Sequence, residues 1–498
     1  MVTELMDRPT VEEADIGVGD LPASSTPGAR FPEPLVACLL FFGTLAVYLV
    51  VMRARFDVYD CRAMLAVTEN LVKHGTLVTT GVGFGDRFHQ ATPYSPYGIG
   101  MSLLGVPFYA LSLHVGNMPV LVSLVNPLVT SATVVVIWRI GRALDWKAWH
   151  AATAALFYGV ASMAVWYTTE GFSEPAVAFC LSLLVLGIIR WGKGSNLAPL
   201  WIGLAAGLAI QFRTDALVTV WIGLLTLPFF VPWRKLVGWR TWGLMLPPMA
   251  LGVAGLVAYN EFRYHKAVVS SYGGRFDVPL RFGVRGLLAS PDRSLFIFNP
   301  LAVLGVLGIV LLLIKVRPVG ILFLLLIVTR VVFFARWSSW DGAWCWGPRF
   351  LLPVVPLFML GAVEVIRSTR PAAFIGFLVR AVTAVLVAAS LAVNALSVRV
   401  PVNQWFDVLY TPSRRLYYGL PSTGVGYSNW DWNNGVIGGY VTLLRRHNAQ
   451  IAPYFWAEGH GGVCVALLVL AGVLLALALW GSSAKSVHRH ARSRTTGE

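Results

Sequence analysis

Long apolar runs recur from one end of the chain to the other, at 35–52, 98–115, 119–140, 150–166, 172–189, 198–210, 216–232, 243–259, 300–314, 319–334, 350–366, 372–396 and 462–479. Most approach the roughly 17 to 25 residues that a helix needs to cross the hydrocarbon of a bilayer. Inside lipid every backbone polar group has to be satisfied within a helix or a closed barrel. No run alternates apolar and polar residues as a membrane barrel strand does, and no repeat period of a solenoid is present. The sequence therefore predicts an all-α polytopic membrane protein of about 12 (11–13) transmembrane helices. Charged residues make up 13% of the chain, about half their share in soluble domains, which supports the same class.

The net charge of +15 raises the question of a polyanionic partner. The Lys and Arg residues sit in short segments between apolar runs, where they read as determinants of membrane orientation, so nucleic acid is not an expected partner. Basic clusters at 190–193, 234–240, 315–317, 367–370 and 485–494 alternate correctly with the long polar intervals if all five are cytoplasmic. The intervals 55–97, 261–299, 336–349 and 399–460 then lie outside. Arg139, Arg142 and Lys147 conflict with this scheme, because two crossings between residues 98 and 140 place them outside. Either that interval crosses once, with a re-entrant or interfacial piece, or the rule fails there.

The expected division is a disordered cytoplasmic tail over 1–34, polar and rich in Pro, Gly and Ser, then a transmembrane core over 35–398. An outer-face cap follows over 399–460, then a last transmembrane helix at 461–482 and a basic cytoplasmic tail at 483–498.

The outer interval 55–97 carries the most informative chemistry. Met64, Leu65, Val67, Leu71 and Val72 fall near helical spacing, which predicts a helix lying along the membrane surface. Asp57 and Asp60 stand at its N-terminal end, where the helix dipole favours a carboxylate; a plain N-cap is an equally direct reading of Asp60. The interval 261–299 holds Arg275, Arg285 and Arg293 among other cations, an outward positive field suited to phosphate, which guanidinium groups grip with paired donors. Attraction to anionic lipid headgroups is the alternative. The interval 336–349 packs four tryptophans, Trp337, Trp340, Trp344 and Trp346, around Asp341 and between Arg336 and Arg349. Such rings stack on sugars, but they also form the aromatic belt of a membrane protein. Arg349 follows Gly-Pro at the start of a span, where its charge requires a partner.

Arg213 and Asp215 interrupt one apolar stretch and read as a turn, a mutual ion pair or a substrate contact. Glu170 and Glu174 sit together at another outer loop, with Glu174 open to a capping role. Arg330, inside a span, is expected to face the bundle. Cys61 and Cys345 both fall in outer loops, where a disulfide between them could persist. The cysteines show no metal-binding spacing. There is no phosphate loop, no dinucleotide fingerprint and no Asp-x-Asp pair, so neither a cofactor nor a metal is expected, and a nucleotide-driven pump is disfavoured.

These residues resemble the GT-C superfamily of polytopic glycosyltransferases, which use polyprenyl-phosphate-linked sugars. In its aminoarabinose transferase and protein O-mannosyltransferase branches the first outer loop begins with an Asp followed by a surface helix ending in Gly, and the segment from Asp60 to Gly75, with Arg62 near its start, is similar. Tyr94-Ser-Pro-Tyr-Gly98 resembles the family's approach to the next span. The stretches beginning Gly286-Leu-Leu-Ala-Ser-Pro-Asp-Arg293 and Trp340-Asp-Gly-Ala-Trp344-Cys-Trp346-Gly-Pro-Arg349 are similar to bacterial members. Two departures stand out. Asp60 is followed by Cys61 where the family often has an acidic pair, and a Lys usual before the second span is absent, with Arg87 or His89 in its region.

The resemblance implies an inverting membrane glycosyltransferase at the outer face of the plasma membrane, with Asp60 as general base and Asp57 as its helper or stand-in. Arg349, Arg293, Arg285, Arg275, His89 and Arg87 would bind the donor phosphate, and Trp340, Trp344, Trp346, Glu170 and Tyr94 the sugar or acceptor. The expected partners are a polyprenyl-phosphate-linked sugar, a glycan, lipid or protein acceptor, and the bilayer itself. A lipid or polyprenyl-phosphate transporter without catalysis, and a membrane subunit without activity, are the rival readings.

Overall fold

The computed structural model describes residues 30–79, 93–269, 274–370, 373–411, 413–414, 429–433 and 435–483. Arg87, His89 and nearly all of both expected tails lie outside these residues. Among the described residues the chain is helical, and its β-structure is one isolated bridge between Val78 and Tyr94. Among the described residues eight helices are long and apolar enough to cross a membrane: Glu33–Val51, Met118–Ala143, Glu174–Gly192, Trp239–Tyr264, Arg317–Ala335, Arg349–Ser368, Phe374–Arg399 and Gly461–Ser482. Shorter apolar helices, among them Ala198–Phe212, Ala216–Phe229 and Ala302–Lys315, pack between them.

Burial separates an inner from an outer layer. Arg349–Ser368 is 94% buried and Glu174–Gly192 is 78% buried, whereas Trp239–Tyr264, Phe374–Arg399 and Gly461–Ser482 are each 17% buried. The outer helices present large apolar side chains such as Leu251, Phe374 and Phe377 outward. A continuous apolar exterior of this kind is stable only against lipid.

Close helix crossings in the inner layer depend on glycine. A Cβ at Gly308 would lie 1.7 Å from the carbonyl oxygen of Gly361, and one at Gly361 would lie 2.4 Å from that of Gly305. The helices Ala302–Lys315 and Val355–Ser368 therefore meet backbone to backbone, as small-residue stripes allow inside membranes. Gly308→Leu is expected to force this crossing apart, at a cost of about 1–3 kcal/mol or more. A reduced yield of monodisperse protein and a lowered melting temperature, followed by size exclusion after heating, check it.

Ion pairs fix which helix ends share a side. Glu33 pairs with Arg139 and Arg142, each at 3.0 Å, and Lys193 pairs with Asp145. Arg367 reaches the ring of Trp146. The start of Glu33–Val51 and the ends of Val125–Ala143, Glu174–Gly192 and Val355–Ser368 thus lie together. The interval from 98 to 143 thus runs the length of the bundle once, which fits the single-crossing alternative for Arg139 and Arg142. Its other piece is the helix Gly100–Val115, which runs beside the helix Tyr59–His74. Ser102 donates to the Met64 carbonyl at 2.8 Å, Thr68 donates to the Ser102 carbonyl at 3.0 Å, and Lys73 sits over the Tyr109 ring. Gly116 and Asn117, both with positive φ, turn the chain into Met118–Ala143.

Tyr59–His74 has the expected amphipathic character. Cys61, Met64, Val67 and Thr68 face inward, Lys73 and His74 occupy the last turn, and Gly75 ends the helix at φ +64°. Its N-cap is Val58, without a side-chain cap. Asp60 therefore lies within the first turn and is not the capping residue.

The segment after residue 399 returns to the core through several contacts. Tyr454 N–H donates to the Met52 carbonyl at 2.7 Å, and Trp344 stacks on Phe406 at 5.0 Å. The N–H of Val436, at the start of the helix Val436–Arg445, donates to Asp292.

Candidate active site

Asp60 and Arg349, 289 residues apart, meet at the end of the bundle opposite the Glu33–Arg139 cluster. Arg349 Nη1 donates to Asp60 Oδ2 at 2.8 Å, and the Tyr97 hydroxyl donates to Asp60 Oδ1 at 2.6 Å. The first turn of the surface helix aims the carboxylate at this point, and the dipole of a 16-residue helix favours its negative charge. Arg349 opens a span after Gly347-Pro348, and its guanidinium lies over the rings of Phe172 and Phe350. The partner that its location requires is thus present.

Three further charges complete the wall. Glu174, the first residue of Glu174–Gly192, is fully buried. Its Oε1 accepts from Arg213 Nη1 at 2.7 Å and lies 3.5 Å from Arg349 Nε. Arg213 Nε donates to Asp215 Oδ1 at 2.6 Å, and Arg330 Nη1 donates to Asp215 Oδ2 at 2.7 Å. Arg330 also holds the Phe350 carbonyl through Nε and Nη2. Burial pushes the Asp215 carboxyl up, but the two guanidinium groups outweigh it and hold the group below the usual carboxylate range. The N-cap of Glu174–Gly192 is Ser173, so Glu174 is an ion-pair partner and not the cap.

This wall borders a cavity of about 460 Å³. Asp60, Tyr97, Arg213, Asp215 and Arg349 are the charged and polar part of its lining. Much of the remainder is apolar, with Phe276, Trp337 and Val268 joined by Leu217 and Phe333 from apolar helices. A lining that combines charged groups with large apolar side chains suits a ligand with an anionic head and a hydrocarbon tail. A second cavity of about 520 Å³ is lined by Arg55, Gln404, Asp407 and Arg414 among others. It lacks such a lining, and neither Asp60 nor Arg349 borders it. Among the described residues no group of three or more His, Cys, Asp or Glu side chains is placed to hold a metal.

The other sequence-derived candidates are dispersed. Asp57 is 3% exposed at its side chain and pairs with Arg55 at 3.1 Å. Its backbone N–H donates to Glu170 Oε2 at 3.2 Å, and Glu170 Oε1 accepts from Arg53 at 3.3 Å. Asp57 and Glu170 therefore share a buried network beside the cavity, not on its wall. Arg293 is fully buried and donates to the carbonyls of Cys345 and Ala343 at 2.9 and 2.7 Å, with Asp292 alongside at 3.3 Å. It fastens the Trp-rich loop from within and does not line the cavity. Arg275 is exposed beside Asp277, and Arg285 lies over the Trp430 ring. Trp340 packs over Gly286, Trp344 stacks on Phe406 and Tyr410, and Trp346 is buried against Phe298 and Tyr440. Tyr94 meets Phe262 edge-on. Within the motif that contains it, Tyr97 is the residue that reaches Asp60, and of the four tryptophans in the Trp-rich loop it is Trp337 that lines the cavity, beside Ser339, Gly342 and Ala343.

The disulfide expectation is corrected. Cys61 and Cys345 are both free and buried. Cys61 faces the core side of the surface helix, while the Cys345 thiol points at the carbonyls of Asp341 and Gly347. Burial pushes both thiols up, which disfavours the reactive thiolate. Both are expected to resist alkylation in the folded protein and to react only after denaturation, as mass spectrometry of labelled peptides would read.

Burial also raises the carboxyls of Glu170 and Asp292, each to about 7. The folded protein then holds protons that the unfolded chain has released, so stability falls as pH rises from about 4.5 through 7 and levels off above. Glu170→Gln removes one such group. Relative to this variant, the wild type is expected to lose about 3 kcal/mol at most between pH 5 and pH 8. Melting curves of the two proteins across that range check the sign.

No protein-family model matches the chain, and no curated protein matches it. Among solved structures it aligns with ArnT from Cupriavidus metallidurans bound to undecaprenyl phosphate. The identity is 17%, over 90% of this chain and 77% of that one, with a TM-score of 0.45. The Archaeoglobus fulgidus oligosaccharyltransferase in its apo form aligns at 12% identity over 87% of this chain and 64% of that chain, also at 0.45. AglB from the same archaeon, in complex with an inhibitory peptide and a dolichol-phosphate, aligns at 12% identity over 87% and 63%, at 0.46. The chain spans less than two thirds of the length of these oligosaccharyltransferases.

Proposed function

We propose that the protein is a membrane glycosyltransferase that moves a sugar from a polyprenyl-phosphate donor to a hydroxyl of a glycan, lipid or protein acceptor. The observation that carries this reading is the Asp60–Arg349 pair on the wall of a cavity lined by both charged and apolar side chains. A carboxylate there suits a general base, and guanidinium groups suit the phosphate that leaves. In the step we envisage, Asp60 takes the proton of the acceptor hydroxyl, whose oxygen forms a bond to the anomeric carbon. The bond from that carbon to the phosphate oxygen breaks on the opposite side, releasing polyprenyl phosphate and inverting the configuration. Arg349 and Arg213 receive the charge of the departing phosphate.

Sidedness follows from the basic residues. Arg139, Arg142, Lys193 and Arg367 stand at the end of the bundle opposite Asp60. The positive-inside rule favours a cytoplasmic assignment for that end, which supports the reading that the site faces the outside of the plasma membrane. The segment 399–460 serves in this reading as a cap over the core, bordering the acceptor side.

The test is incubation of the purified protein in lipid nanodiscs with a panel of polyprenyl-phosphate sugars, following thermal stabilisation and release of polyprenyl phosphate. At 100 times its Kd a true donor stabilises by about 2.7 kcal/mol. Movement of polyprenyl phosphate across a liposome membrane, with no sugar released from any donor, would instead support the transporter reading.

A further inference from the structure

The charges around the cavity balance. Asp60, Glu174 and Asp215 supply three carboxylates, and Arg213, Arg330 and Arg349 supply three guanidinium groups, all linked in one chain of ion pairs. Among the described residues a phosphate arriving at this wall meets no surplus cation, and to pair with a guanidinium there it has to displace a carboxylate.

Geometry selects which one. The Glu174 side chain is fully buried between two guanidinium groups, and Asp215 is gripped on both oxygens by Arg213 and Arg330. Asp60 is the most exposed of the three, at 17%, and one guanidinium holds it. It also keeps an alternative support after release, from the Tyr97 hydroxyl and the N-terminal turn of a 16-residue helix. Arg349 Nε lies 3.5 Å from Glu174, so the guanidinium remains tethered while its Nη1 edge changes partner.

We propose that Arg349 is a switch between Asp60 and the donor phosphate: in the empty site it masks the base, and the arriving phosphate takes Arg349 and frees Asp60 to accept a proton. This rests on the glycosyltransferase reading and adds to it an order of events. The acceptor hydroxyl is activated only when a phosphate-bearing donor is seated.

Farnesyl phosphate, a short probe with the same head, tests the competition on the full-length protein in detergent micelles, with farnesol as the control. Removing the competitor by Asp60→Asn is expected to tighten farnesyl phosphate about tenfold. In an Arg349→Gln background the same substitution is expected to change affinity by less than about twofold, because the contested group is gone. If Arg349→Gln does not fold, Arg349→Lys replaces it. A lysine ammonium reaches about the position of Arg349 Cζ, one bond short of Nη1, and as a point charge without the forked edge it cannot hold Glu174 and Asp60 together, so the gain is lost there too. Equal affinity in wild type and Asp60→Asn, or a gain that survives in the Arg349 variants, overturns the switch while leaving the phosphate site standing. If no form binds farnesyl phosphate better than farnesol, the glycosyltransferase reading falls and the switch with it.

Discussion

Asp60→Asn is expected to lower sugar transfer by about 10²- to 10⁴-fold, the usual worth of a positioned general base, without weakening donor binding. The side chain keeps its shape, and its one remaining oxygen still accepts from Tyr97 while Arg349 loses its ionic partner, so the fold around the first turn of the surface helix is retained. An amide has no useful affinity for the acceptor's proton. The loss therefore belongs in kcat, with the donor KM unchanged or lowered. Asp57→Asn provides the contrast. The Asp57 carboxylate is buried against Arg55, and Asp57 does not line the cavity, so its loss is expected to act on stability and to reduce kcat less than tenfold. Steady-state transfer assays on both variants, with one donor and one acceptor, distinguish them. Normal turnover in Asp60→Asn would remove the proposed base, and a collapse confined to Asp57→Asn would move the chemistry to the buried network with Glu170.

Why the sequence revealed some of this wall and not the rest is a matter of orientation. Asp60 and Arg349 stood out because each places a charge where membrane burial makes charge costly, and such residues require partners. Arg213 and Asp215 were open to a bland reading as a turn between two spans. They are a turn, and the turn forms part of the cavity wall, since the helices on either side bring it under Arg349. Glu174 was open to a capping role because it precedes Pro at a helix start. That position also points a buried carboxylate at two arginines from distant segments, which no local pattern reveals. Arg293, Trp340 and Trp346 show the converse. A dense run of Arg and Trp in an outer loop looks like a ligand surface, yet Arg293 turns inward to satisfy loop carbonyls and Trp346 packs into the core. The helical class followed from the length of the apolar runs, and the helix Tyr59–His74 from the spacing of its apolar residues. Inward or outward direction in a loop depends on contacts hundreds of residues away.

Arg349 carries the second large expected effect, and two substitutions separate its roles. Arg349→Ala strips the cation from both Asp60 and Glu174, leaving Glu174 fully buried with Arg213 as its remaining guanidinium. Breaking a buried ion pair from one side typically destabilises by about 3–5 kcal/mol. Asp60 is partly exposed and keeps Tyr97, so most of that cost falls at Glu174. Loss of the phosphate contact is expected to reduce transfer by about 10²- to 10³-fold, the scale of removing one donor that stabilises developing charge. Arg349→Lys keeps a positive charge beside Glu174 but lacks the forked edge that spans from Glu174 to Asp60. Its melting temperature is expected to stay near that of the wild type while transfer falls almost as far as in the alanine variant. Melting curves and transfer rates measured on the same preparations decide the matter. If both variants lose activity only in proportion to folded protein, Arg349 is a structural ion-pair partner. If the lysine variant is stable and inactive, the planar guanidinium itself is what the departing phosphate requires.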